Sequence, residues 1–388
     1  MVFRTVATMS HMKKVLTIFG TRPEVIKLAP IIRQLEKHNG IFRTINVSSA
    51  QHTDLLYPFI SQFGIRIDYD LRIMKRNQTL NHVCSRVIAA LDSILQKEQP
   101  HLILIQGDTT TAMAGALAGF HRRIPVGHVE AGLRSGNIYS PYPEEMNRRL
   151  ITRLATYHFA ATTRNSSTLL SEGVSPENCF VTGNPVVDAL LSILQECSAS
   201  HSVHKLVEST NGLKRIVLTT HRRESFGEVM AGNLAVLRRF VEDRDDVALI
   251  FPVHPNPSVH GLSGALLSKH PRIHLIQPLG YRDFIHLLTH AWLIVSDSGG
   301  VQEEAPTLGK PLLIIRENTE RPEAVECGVA RLVGGRPDLL AKILEEVYTD
   351  RGWIEQVAKI KNPFGQGDSA KIIVQIIREL LRCTRQML

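Results

Sequence analysis

Apolar residues gather in short continuous runs, separated by longer segments of helical period, and this alternation repeats along most of the chain. Val15 to Phe19 is the first run; it breaks at Gly20-Thr21-Arg22-Pro23, and a helix is predicted from Glu24 to about Lys37. A run of this length bounded by turn residues reads as a buried strand. Strand, glycine turn and helix together form the first βα unit of a doubly wound sheet. Thr44 to Ser48 is a second strand, ending in Ser49-Ala50-Gln51-His52, and helical spacing returns at Leu55, Leu56, Phe59, Ile60 and Phe63. A long helix from Leu80 to Gln96 carries Val83, Val87, Leu91, Ile94 and Leu95 at core spacing. Leu102 to Ile105 and Val126 to Val129 read as buried parallel strands, joined by a tightly packed crossover helix in the Ala- and Gly-rich segment Thr111 to His121. His158 to Ala160 and Phe180 to Val181 are short strands, and Gly183-Asn184-Pro185 opens a helix through Leu194.

Between Glu196 and Leu213 the pattern lapses into Ser, His, Asn and Gly with few large apolar groups, which marks the edge of a second domain. It then restarts: strands at Ile216–Thr219, Val247–Phe251, Ile273–Ile276, Leu293–Val295 and Leu312–Ile315, helices near Glu228–Phe240, Arg282–His290 and Val301–Leu308. A final amphipathic helix covers about Ser369 to Met387. The repeated alternation predicts an α/β chain with two Rossmann-like, doubly wound domains. At 388 residues there is room for two full cores.

Composition narrows the setting. The longest apolar runs fall far short of the roughly 20 residues of a membrane helix, and Met1 to Met12 lack the apolar stretch of a secretion signal. Met12-Lys13-Lys14 stands directly before the first strand, so the residues ahead of it read as an extension or an alternative start. Cys84, Cys179, Cys197, Cys327 and Cys383 are scattered, with no pair at metal or redox spacing, which fits a reduced cytoplasmic compartment. The formal charge of +8 suits an anionic partner such as a nucleotide. No basic run carries interleaved aromatics, which argues against nucleic acid.

The candidate chemistry lies at strand ends. Asp108 follows the strand ending at Ile105, Glu130 follows the strand ending at Val129, and Glu144 starts a helix just after Pro143. Ligands of open α/β sheets bind outside the carboxyl ends of the strands. Three carboxylates brought to that edge within forty residues suit acid–base work. The plainer account is that each caps a helix or pairs with Arg134, Arg148 or Arg149. Arg22 and Lys27 sit near a helix start, where cations oppose the helix dipole and would meet a phosphate. His221, flanked by Arg222 and Arg223 after a strand, is a candidate phosphate ligand or proton-transfer group. Ser296-Asp297-Ser298-Gly299-Gly300 precedes a helix, so its backbone N–H groups and the helix dipole suit an anion. Glu303 and Glu304 are placed to take a ribose diol or simply to stabilise the helix start, and Arg321 is a further strand-end cation.

GTRPEVIKLAP, AQH, GDTTTA, VGHVEAGLRS, SPYPEEMNRR, GNPVVDAL, THRRESFG, VHPNP, SDSGGVQEEAP and TERPEAVECG run in order through nearly the whole chain. In these motifs the sequence resembles the bacterial non-hydrolysing UDP-N-acetylglucosamine 2-epimerases. The resemblance implies two Rossmann-like domains facing across a cleft, as in GT-B glycosyltransferases: residues 13–185 with a returning C-terminal helix, 366–388, and residues 186–365, preceded by an extension, 1–12. It also implies a homodimer and no cofactor or metal. By motif, Asp108, Glu130 and Glu144 resemble the family's acid–base carboxylates and His221 its essential histidine. Arg22, Lys27, Arg148 and Arg321 look like sugar- or phosphate-contacting residues. Ser298, Gly299 and Gly300 would hold the diphosphate, Glu304 the ribose, and the loop Leu279-Gly280-Tyr281 with Phe284 the uracil. Bacterial members also bind a second UDP-N-acetylglucosamine as an activator; Gln51, Arg222 and His254 match there, whereas Asp54 and Asn77 stand where related sequences often carry Gln and Arg.

The implied reaction is reversible conversion of UDP-N-acetylglucosamine to UDP-N-acetylmannosamine, in service of surface polysaccharide synthesis. The C2 proton has no carbonyl beside it, so a base alone cannot invert that centre. Loss of UDP with removal of that proton gives a 2-acetamidoglucal, and re-addition with protonation of the other face completes the inversion. Competing readings are a hydrolysing epimerase that releases UDP and N-acetylmannosamine, a GT-B glycosyltransferase, and a catalytically silent sugar-nucleotide sensor.

Overall fold

The computed structural model describes residues 12–51, 53–75, 78–196, 199–220, 227–254 and 256–383. Among them the chain divides into two compact units, Met1–Pro185 with Gly367–Leu388 and Val186–Gln366.

The first unit is built on strands β1 (Lys13–Phe19), β2 (Phe42–Ser48), β3 (Tyr69–Asp70), β4 (Leu102–Gln106), β5 (Val126–Ala131), β6 (Tyr157–Ala160) and β7 (Cys179–Val181). They form one sheet in the order β3-β2-β1-β4-β5-β6-β7, parallel throughout. The helices are α1 (Arg22–Lys37), α2 (Thr53–Gln62), α3 (Leu80–Glu98), α4 (Thr110–His121), α5 (Glu144–Leu154) and α6 (Thr163–Ser171). Parallel strands need helices on both faces, so their residues must be apolar on both. Leu16, Ile18, Ile103 and Ile105 are accordingly buried, as are Val87 and Leu91 of α3. The small residues of α4 have a packing reason. A Cβ on Gly119 would stand 2.6 Å from Val126 Cγ2, and one on Gly115 2.9 Å from Ile18 Cδ1.

The second unit opens with α7 (Pro185–Gln195) and α8 (His201–Ser209) and holds β8 (Lys214–Thr219), β9 (Val247–Pro252), β10 (Ile273–Ile276), β11 (Leu293–Ser296), β12 (Leu312–Ile314) and β13 (Ala330–Leu332). This sheet is also parallel, in the order β10-β9-β8-β11-β12-β13. Its remaining helices are α9 (Glu228–Glu242), α10 (Pro257–Leu267), α11 (Tyr281–Thr289), α12 (Gly299–Leu308), α13 (Pro322–Glu326), α14 (Pro337–Thr349) and α15 (Gly352–Val357). The last helix, α16 (Ser369–Cys383), returns to the first unit. It buries Ile373, Val374, Ile377 and Leu381 and packs on α1.

Both sheets carry the doubly wound order in which the strand sequence reverses between the first and fourth strands, β1 and β4 in one unit, β8 and β11 in the other. The α/β class and the two Rossmann-like sheets expected from the sequence are what the chain forms. Several details differ. The polar stretch after Glu196 holds a helix, α8, anchored by the buried Val203. Helices α6, α10, α13, α14 and α15 and strands β3 and β13 go beyond the expectation. Helix α11 begins at Tyr281, so this residue belongs to the helix and Gly280 is its N-cap. Among the described residues no helix is long and apolar enough to cross a membrane.

Candidate active site

In the first unit the carboxyl ends of β1, β4 and β5 gather charged side chains. Glu130 lies inside β5, whereas the sequence placed it just after the strand. Its φ of 66° puts a non-glycine residue in the left-handed region, and the β5–β6 register shifts between Val129 and Ala131. A bulge of this kind re-aims a side chain, and strain held at one residue marks a site of interest. The Glu130 carboxylate is buried and takes hydrogen bonds from Lys27 Nζ, Gln106 Nε2 and, at 2.9 Å, Asn184 Nδ2. Lys27 is thus a buried partner of Glu130. Arg22 is exposed, with its guanidinium 5.4 Å from the Phe59 ring centroid.

Asp108 follows β4 and stays partly open to solvent. Arg148 donates to its carboxylate at 2.9 Å from Nε and pairs at 2.8 Å through Nη2. Asn147 Nδ2 donates to the Asp108 carbonyl at 2.8 Å. Glu144 is the first residue of α5, half-buried, one helical turn before Arg148. The fully buried carboxylate of that pair is instead Glu145, which takes Arg148, Arg149 and the Ser135 N–H. Of the ion pairs foreseen for these carboxylates, Asp108–Arg148 forms. Arg134 pairs with Glu172.

Four further residues shape this edge without having been singled out in the sequence. His128 is buried, and its Nε2 donates to the Gly107 carbonyl at 2.8 Å. Burial lowers its pKa to about 4, against the weaker effect of that hydrogen bond, so the ring is neutral at neutral pH. Asn184 and Gln106 hold Glu130. Glu24, also buried, accepts from the N–H of Gly20 and of Thr21 and from the Thr21 hydroxyl, each at 2.8 Å, and from Thr109 Oγ1 at 2.7 Å. Burial raises its pKa to about 7 despite these donors. The pattern Thr21-x-x-Glu24 is the sequence signal for such a cap. Gly20 therefore gives its N–H to Glu24, and the room left by its missing side chain is filled by Ser49 and Thr111. Gly20 here serves the packing of neighbouring turns.

In the second unit β8 and β11 end side by side. The Thr220 hydroxyl donates to buried Asp297 at 2.8 Å. Ser298 is the N-cap of α12 and makes no side-chain cap bond, so the first-turn N–H groups keep the orientation that suits an anion. Arg321 lies against this turn: its Nε donates to buried Glu303 at 2.6 Å, and a Cβ on Gly299 would stand 2.6 Å from its Nη1. Ser298, Gly299, Gly300 and Arg321 are thereby brought together. Tyr281 donates its hydroxyl to Glu304 at 2.8 Å, while Leu279 and Phe284 are half-buried at the start of α11.

Gln51 accepts from the Thr111 hydroxyl at 2.8 Å, and the His254 ring accepts from the Asn256 N–H at 3.2 Å. The first belongs to one unit and the second to the other. His221 and Arg222, with residues 1–11, Asn77 and the side chain of Asp54, lie outside the described residues. Among the described residues no group of three or more His, Cys, Asp or Glu side chains could hold a metal ion.

Known proteins are similar to this chain in sequence and fold. Residues 33–378 match the family described as UDP-N-acetylglucosamine 2-epimerase. A relative named probable UDP-N-acetylglucosamine 2-epimerase, from Ralstonia solanacearum, is 44% identical over 372 residues, spanning 95% of this chain and 99% of that protein. The crystal structure of UDP-GlcNAc 2-epimerase from Neisseria meningitidis bound to UDP-GlcNAc is similar at a TM-score of 0.89 and 42% identity, covering 94% of this chain and all of the other. The Methanocaldococcus jannaschii enzyme in complex with UDP-GlcNAc and UDP is similar at 0.81 and 36% identity, covering 94% of this chain and 99% of that one.

Proposed function

The chain belongs to the UDP-N-acetylglucosamine 2-epimerase family, and from that premise we propose that it interconverts UDP-N-acetylglucosamine and UDP-N-acetylmannosamine without net hydrolysis. In this reading the C1–O bond breaks as a side chain takes the C2 proton, leaving UDP and 2-acetamidoglucal. UDP then adds back to C1 while a proton reaches C2 from the opposite face. The reaction calls for a base, an acid and cations for the departing diphosphate.

One observation carries the reading: Asp108 and Glu130 stand at the carboxyl ends of the neighbouring strands β4 and β5 in different surroundings. Glu130 is buried among Lys27, Gln106 and Asn184, and Asp108 is partly open beside Arg148. Carboxylates in unlike environments can divide acid and base roles. Glu144 and His221 complete the proposed proton-handling set, with Arg22, Lys27 and Arg148 on the sugar and phosphates. The α12 turn with Arg321 supports a diphosphate site, Glu304 with Tyr281 a ribose site, and Leu279 with Phe284 a uracil site. An activator site at Gln51, Arg222 and His254, a cytoplasmic location and the supply of surface polysaccharide synthesis belong to the same proposal. So does a homodimer, supported by the exposed apolar side chains of Phe120, Met146 and Leu150 on α4 and α5.

The test follows the products. Incubation with UDP-N-acetylglucosamine, watched by phosphorus and proton NMR, gives UDP-N-acetylmannosamine at constant total nucleotide sugar. Steady accumulation of free UDP and N-acetylmannosamine would instead establish the hydrolysing reaction.

A further inference from the structure

We propose that Glu24 is a positioning residue for this reaction, acting through Thr109 to fix the segment that carries Asp108 against the turn between β1 and α1. The inference rests on the reading of Asp108 as a proton-transfer group. Strands β1 and β4 are neighbours at the point where the strand order reverses, so the helices that follow them leave on opposite faces and their two turns part. Glu24 bridges those turns. One carboxylate oxygen takes Gly20, Thr21 and the Thr21 hydroxyl, all on the β1 side, and the other takes Thr109, on the β4 side.

Residues 107 to 109 are each held by a different element. His128 of β5 holds the Gly107 carbonyl, Asn147 and Arg148 of α5 hold Asp108, and Glu24 of α1 holds Thr109. The α1 tie opposes the others, which draw the segment toward β5 and α5. Without it Asp108 has anchors on one side alone. The Thr109 hydroxyl also accepts from the Ala112 N–H at 3.0 Å, so the tie extends into the first turn of α4. Capping α1 does not by itself call for a carboxylate 1% exposed, whose pKa burial raises to about 7. A reach across to a second turn does.

Thr109→Val keeps the side chain's shape and Glu24's bonds to its own turn while removing the bridge and the cap bond from Ala112; Glu24→Asp removes the bridge and keeps that cap bond. Displacement of a reacting group by about 1 Å can cost on the order of 100-fold. Thr109→Val is therefore expected to lower kcat by roughly 10- to 100-fold with UDP affinity unchanged, and Thr109→Ser to recover most of the loss. Because Thr109 acts through Asp108, Asp108→Asn/Thr109→Val should be no slower than Asp108→Asn. Glu24→Asp, too short to span both turns, should reproduce the loss and covers the case in which Thr109→Val fails to fold. Near wild-type kcat in Thr109→Val with Asp108→Asn slow, or losses that multiply in the double variant, would overturn the inference alone. Full turnover in Asp108→Asn would overturn the parent reading and the inference with it.

Discussion

Glu130 sits in a left-handed backbone conformation at a bulge, and its carboxylate is enclosed by Lys27, Gln106 and Asn184. That a carboxylate ends this stretch is plain in VGHVEAG, but the bulge is a one-residue shift with no sequence signal. Its partners come from β4, α1 and the Gly183-Asn184 turn, pairings that no local pattern announces. Asp108→Asn and Glu130→Gln keep the shape and remove the titrating group. Loss of a positioned acid or base costs about 10²- to 10⁴-fold, so both variants should lose turnover on that order while binding UDP as before. A mere cap or ion-pair partner would instead lower the melting temperature and leave turnover near wild type. Gly299 makes a separate point. A β-branched side chain there drives into Arg321, which Glu303 holds from the other side. Displacing Arg321 removes its proposed charged hydrogen bond to the diphosphate, worth about 1.5–3 kcal/mol, so Gly299→Val should weaken UDP binding by roughly tenfold or more, read by calorimetry, with the fold intact.

At the scale of elements, long apolar runs were legible and short amphipathic pieces were not. Strands β4 and β9 are buried along nearly their whole length and stand out as unbroken apolar stretches. Helix α8 buries Val203 and little else, and α13 spans only five residues, so neither leaves a period long enough to read. Helix α1 carries a stability consequence. Burial raises the Glu24 pKa from about 4.5 to about 7, so between those values the folded chain binds a proton that the unfolded chain has released. Stability from this group is therefore present at low pH and lost as pH rises toward 7, on the order of 3 kcal/mol at most. Glu24→Gln removes the titration. The melting temperature of the wild type relative to Glu24→Gln should fall from pH 5 to pH 7.5, and a flat difference would contradict the assignment. Helix α16 is tied to the first unit by Ile377, which is fully buried. Ile377→Ala should destabilise that unit by about 2–5 kcal/mol, measured by denaturant unfolding.

At the scale of the molecule, two sheets of like order each present the carboxyl ends of their central strands, one with the carboxylates proposed for acid–base work and the other with a helix turn suited to an anion. The sequence made both edges visible because ligand-facing residues in this architecture lie at strand ends, where an apolar run stops on a polar cluster. The hydrogen bonds across the fold were invisible, since Glu24 reads as a helix cap, His128 as a strand residue and Asn184 as a turn residue until the fold brings them to Thr109, Gly107 and Glu130. The division of labour predicts that proton transfer at C2 and release of UDP are linked steps of one reversible cycle. The most direct measurement is proton NMR of the enzyme with UDP-N-acetylglucosamine in D₂O. Deuterium should enter C2 as UDP-N-acetylmannosamine forms, while the sum of the two nucleotide sugars stays constant. Retention of the original hydrogen at C2 through the interconversion would contradict the account.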